Sequence, residues 1–139
     1  MTPEINTRPA PLRYLRQPLP RRAPKRLPAK DLAQLAELYT VRSPPEMVSE
    51  FLAENRYLVK LLKETRRRIT HYFGAETKPL LELVFIPETD ILDKIWVLVP
   101  TKLSAEAALA ILDRFDEAWW LDACVESKGN LNIGLEYIR

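Results

Sequence analysis

The 139-residue chain holds one cysteine, one histidine and three glycines, and each scarcity removes a class of chemistry. Cys124 has no second cysteine to pair with, so no internal disulfide braces the fold. His71 alone cannot complete the common zinc ligand sets, which draw several ligands from cysteine and histidine. Gly74, Gly129 and Gly134 stand apart, whereas a loop that cradles phosphate with its backbone amides needs clustered glycines. No apolar run approaches the length of about 18 residues that a membrane span requires, and residues 1–30 lack the apolar core of a secretory signal. These absences lead us to expect a cytoplasmic protein with no cofactor, no metal and no membrane contact.

What is present is distributed unevenly. Residues 1–30 carry seven of the 12 prolines and eight basic residues against one glutamate. Residues 80–139 carry five basic and eleven acidic residues. Proline removes backbone donors and biases its predecessor away from the helix, so the first 30 residues read as a disordered, extended basic tail. The remaining residues, 31–139, read as a single α+β domain with an acidic surface.

Within the body, Leu32, Leu35 and Leu38 mark one face of a short helix with Asp31 as its cap. Ser43-Pro44-Pro45-Glu46 has the form of a capping box with proline at the first helical position. A long helix, or a helix pair with a break near Asn55, follows and stops at Gly74. Apolar runs at residues 80–86 and 95–99 predict two strands joined as a hairpin. Ser104 caps a third helix running to about Trp120, and Lys128-Gly129-Asn130 turns the chain into a last strand, where Leu131, Ile133, Leu135 and Tyr137 alternate with polar or small residues. The expected architecture is therefore β-β-α-β, an antiparallel three-stranded sheet in the order 2-1-3 with the helices on one face.

Candidate chemistry is thin. Cys124 and His71 form the one nucleophile and base pair the composition permits, with no glycine-rich elbow around the thiol. Glu88, Asp90 and Asp93 beside Lys94 resemble a magnesium site only in their charge, and a solvated acidic loop is the simpler reading. No catalytic set emerges, so the chain reads as non-enzymatic. Lys60, Lys63, Arg66, Arg67 and Arg68 lie near the end of the long helix, where cations complement its dipole and can also contact phosphate. No aromatic residue interrupts that run as a stacking platform.

The blocks Phe115-Asp116-Glu117-Ala118-Trp119-Trp120-Leu121-Asp122 and Gly129-Asn130-Leu131-Asn132-Ile133, with Glu50-Phe51-Leu52 and Leu81-Glu82-Leu83-Val84, resemble a family of small α+β proteins found largely in cyanobacteria. The resemblance covers the body and not the tail, and Cys124 falls outside the family pattern. It implies no catalytic activity, and it implies an association with toxin-antitoxin operons.

Helical spacing separates the adjacent tryptophans. Trp119 continues the apolar series Ala108, Ile111, Leu112 and Phe115, and Trp120 continues the acidic series Asp113, Asp116 and Glu117. The functional expectation is an adaptor-like or antitoxin-like interaction module that docks a basic protein partner on Asp113, Asp116, Glu117 and Trp120. The alternative is a nucleic-acid-binding protein that uses the basic tail and the Arg66 to Arg68 patch. A homodimer is a further expectation, because Val84, Ile86, Trp96 and Leu98 give the second sheet face an apolar character that a second copy or the helix at 31–40 would cover.

Overall fold

The computed structural model describes residues 25–138. The tail expected over residues 1–30 thus lies, up to residue 24, outside the described residues. Its last part does not behave as tail. The buried Leu27 donates its N–H to Ser49 Oγ at 2.8 Å, and Arg26 pairs with Glu50 at 3.5 Å.

Helix α1 (Ala29–Leu38) starts behind Pro28, whose carbonyl accepts from the N–H groups of Asp31 and Leu32. Asp31 therefore sits inside the first turn and is not the cap. Its carboxylate lies instead between Arg56, at 3.8 Å, and Lys63, at 3.9 Å. A two-residue strand β1 (Thr40–Val41) follows, then α2 (Pro45–Glu54) and α3 (Tyr57–Phe73). The expected break near Asn55 is real and has a chemical cause. The Asn55 side chain donates to the Phe51 carbonyl at 2.9 Å, Tyr57 Oη donates to Asn55 Oδ1 at 3.2 Å, and Asn130 Nδ2 donates to Tyr57 Oη at 2.6 Å. The helix junction is thereby pinned to the turn before the last strand. Ser43, expected to cap α2, makes no cap bond; its Oγ accepts the Leu83 N–H at 2.9 Å and ties the helix entry to the sheet. Gly74, at φ +106°, ends α3 where a side chain would be strained.

Strands β2 (Leu80–Phe85), β3 (Leu92–Thr101) and β4 (Leu131–Tyr137) complete a four-stranded mixed sheet in the order β1-β2-β3-β4. The α+β class is as expected, whereas the three-stranded antiparallel sheet in the order 2-1-3 is not. Thr40 and Val41 pair in parallel with Leu80 and Leu81 and so occupy the outer edge of β2. The last strand is left the other edge, and β4 runs parallel to β3, with Val97 opposite Ile133.

One face of the sheet carries Leu81, Leu83, Ile95, Val97, Val99 and Leu131, all buried against the helices together with Leu58, Leu62 and Ile69 of α3. The opposite face, with Glu82, Val84, Trp96, Leu98, Asn132 and Glu136, is half-exposed. Arg42 lies on it, paired with Glu82 at 3.3 Å and with Glu136. Trp96 leans over Gly134, where an added Cβ would stand 3.1 Å from the ring, so any side chain there would displace the indole. Helix α1 packs on α3 and not on this face, with Leu35 and Tyr39 fully buried on the helix side.

After β3, α4 (Ala105–Phe115) is capped as expected by Ser104, which accepts the Ala107 N–H at 3.2 Å. The helix then widens into a π turn over Asp116–Trp120, tightens through Leu121–Ala123 and closes as a 3-10 turn over Cys124–Ser127.

Candidate functional site

The segment from α4 to Ser127 presents two surfaces, one outward and one toward α3. Along the outer one, Glu106, Leu109, Asp113, Glu117, Leu121, Asp122 and Val125 are all exposed. Within the regular turns of α4 a four-residue step brings side chains onto one helical face, which places Leu109 with Asp113. Asp116 is half-buried beside them. Burial first, and the nearby Asp113 charge second, push its carboxyl above the usual carboxylate range.

Trp120 does not stand on that acidic face. Both tryptophans are half-buried against the core, with ring centroids 5.6 Å apart, and Trp119 meets Phe115 edge-on at 5.6 Å. The π turn inserts an extra residue into the helical repeat, which rotates the following side chains relative to regular helical spacing. Trp120→Ala and Trp119→Ala are therefore expected to destabilise the fold comparably. Each should cost roughly 2 kcal/mol, about half the figure for a fully buried aromatic. Urea denaturation checks this, and a neutral Trp120→Ala would restore the outward orientation read from the sequence.

The five cations proposed for phosphate contact are divided by the fold. Arg66 donates through Nε to the Leu38 carbonyl at 2.8 Å and also reaches Thr70, so it closes the C-terminus of α1. Arg68 binds Glu64 at 2.9 Å and stands 5.6 Å over the Trp119 ring. Lys60 and Arg67 are exposed, and with Lys63 they line a groove of about 480 Å³ between α3 and the C-terminal helical segment. Its walls include Tyr57 and Trp119, with Glu64 and Glu126 as the carboxylates. Glu64 is engaged by Arg67 and Arg68. Lys128 lies 4.6 Å over the Tyr57 ring at the same end. Aromatic surface thus does accompany these cations. Tyr57, three residues before Lys60, was a visible signal; Trp119 reaches the groove only through tertiary packing.

The remaining candidates do not assemble. Cys124 Sγ contacts the Leu121 carbonyl at 3.2 Å, whereas the exposed His71 packs edge-on against Tyr72. Glu88, Asp90 and Asp93 are exposed, and Asp93 pairs with Lys94 at 3.8 Å. Among the described residues no group of three or more histidine, cysteine or acidic side chains is placed to hold a metal, and no helix is long and apolar enough to cross a membrane. Comparison with protein families, with curated proteins and with solved structures finds no match to the chain.

Proposed function

We propose that the protein is a non-enzymatic interaction module, adaptor-like or antitoxin-like, that docks a basic partner on the outer face of its C-terminal helical segment. One observation carries this reading: Leu109, Leu121 and Val125 are 47%, 60% and 76% exposed in the same helical segment as the exposed Asp113, Glu117 and Asp122. Large apolar side chains left in water supply buried area on docking, and surrounding carboxylates steer a cationic surface onto them. The apolar anchor in this reading is the exposed Leu121 and Val125 pair, since Trp120 is half-buried against the core.

A photo-crosslinking residue placed at position 121 in cells, followed by identification of the captured segment, tests the proposal. The expected capture is an Arg- or Lys-rich segment of another protein. It should vanish with Asp113→Lys combined with Glu117→Lys, both exposed positions where the melting temperature should hold. Leu121→Ala with Val125→Ala should weaken binding by about tenfold or more, the equivalent of losing roughly 1.4 kcal/mol of apolar contact. Undiminished capture by the charge-reversed variant would sink the reading.

A further inference from the structure

We propose that the groove between α3 and the C-terminal helical segment binds single-stranded RNA, at a site separate from the acidic face and independent of its partner. Phosphates demand cations, and Lys60, Lys63 and Arg67 stand in one groove, Lys63 in a long 3.9 Å pair with Asp31 and Arg67 sharing Glu64 with Arg68, exposed pairs that a phosphate can replace. Lys60 and Arg67 are exposed, and Lys60 has no carboxylate within ion-pair distance among the described residues. Bases demand flat apolar surface, and the half-buried Tyr57 and Trp119 stand in the same lining, each with a cation, Lys128 or Arg68, over one face and the other face left to a base. Cations together with aromatic rings are the means by which proteins hold unpaired strands, because a duplex keeps its base faces stacked and out of reach.

The choice of RNA rests on Glu126. This exposed carboxylate belongs to the groove lining, where Glu64 is already engaged by Arg67 and Arg68. Glu126 repels phosphate but accepts a hydrogen bond, and a ribose 2′-hydroxyl is a donor that DNA lacks. The lining therefore offers cations for the strand's backbone, rings for its bases and an acceptor for its sugar.

Fluorescence anisotropy of a labelled single-stranded RNA of about 10 nucleotides with the full chain, at roughly 50 and 200 mM salt, tests the inference. Three phosphate contacts give a slope of log affinity against log salt near −2, so affinity should fall about 20-fold across that range. Lys60→Gln with Arg67→Gln should weaken binding at least tenfold and reduce the slope to about −0.7, with an unchanged melting temperature. Single-stranded DNA of the same sequence should bind several-fold more weakly, and Glu126→Ala should narrow that gap. Three results would overturn the site: no binding of RNA, equal binding of duplex RNA, or binding that the double substitution leaves intact and that therefore resides elsewhere on the chain. Equal affinity for RNA and DNA would overturn the assignment to RNA.

Discussion

Replacing Phe115 with alanine should cost about 3–5 kcal/mol of folding stability, the range for a large buried aromatic. Phe115 is the last residue of α4 and is fully buried. Tyr72 meets it edge-on at 5.9 Å, Phe73 lies at 6.4 Å and Trp119 meets it edge-on at 5.6 Å. It is the one ring shared by the end of α3, the end of α4 and the π turn, so its removal leaves a void that three elements line and none can fill. Against a total stability of about 5–15 kcal/mol for an ordinary domain, the loss is large enough to populate the unfolded state. The measurement is the urea midpoint, read with an unchanged dependence on denaturant. A loss below about 1 kcal/mol would mean that the helices collapse onto the site and that the aromatic cluster is not a keystone of the packing.

Above pH 10 a second loss is expected, and a single phenol should account for much of it. Tyr39 is fully buried and donates its hydroxyl to the Leu62 carbonyl at 2.7 Å. Burial drives its pKa well above the ordinary tyrosine value, with the nearby Arg66 charge opposing only in part. In the unfolded chain the phenol ionises near pH 10, while in the folded protein it stays protonated. Below pH 10 both states hold the proton and the stabilisation is complete. As pH rises past 10 the unfolded state sheds the proton first, so stability falls by up to about 1.4 kcal/mol per pH unit until the folded-state pKa is reached. By pH 12 the loss should be on the order of 2–3 kcal/mol. Tyr39→Phe should abolish that component and cost about 1 kcal/mol at neutral pH through the missing hydrogen bond. Denaturation between pH 8 and pH 12 compares the two proteins. Equally steep alkaline losses would assign the effect to other groups.

The first prediction rests on a side chain whose burial follows from helical periodicity and is legible in the sequence, whereas Tyr39 lies just past the end of α1 in extended backbone, where no periodicity marks it. Leu35, Leu58, Leu62, Ile69 and Phe115 fall on the faces that their spacing assigns and are buried. Local signals also read correctly. Ser104 caps α4 through a bond three residues away, Gly74 ends α3, and the turn before β4 forms where a glycine permits it. Ser43 and Asp31 were misread because their polar atoms found distant partners, the Leu83 N–H for one and Arg56 with Lys63 for the other. A cap and a tertiary contact look alike in one dimension. Thr40 and Val41 carry no strand signal, being two residues long, yet their pairing decides which edge β4 receives.

The candidate surfaces were legible in composition and not in geometry. Asp113 and Glu117 are exposed, as their spacing requires. Trp120 differs from its spacing because nothing in Asp116-Glu117-Ala118-Trp119-Trp120 announces the π turn that those five residues form. The cationic run at 60–68 appears as one patch in sequence, but the helix distributes it. Arg66 faces α1, Arg68 faces Trp119, and Lys60, Lys63 and Arg67 line the groove. The aromatic wall opposite them comes from a residue more than fifty positions away in the chain.

Because each strand's neighbour in the sheet is also its neighbour in the chain, the molecule can assemble by accretion. The β2–β3 hairpin closes the shortest loop of the sheet, and such hairpins form in about 1–10 μs. Each later strand then meets an edge that already exists, and none has to be threaded between two others. The loop-closure cost is met in successive instalments, with β4 joining behind α4 and β1 arriving ahead of α2. A sheet in the order 2-1-3 would have required its last strand to pass over its first partner and join the far edge. The two residues of β1 remove that route by holding the edge themselves, so a strand too short to be stable alone acts as a topological stop.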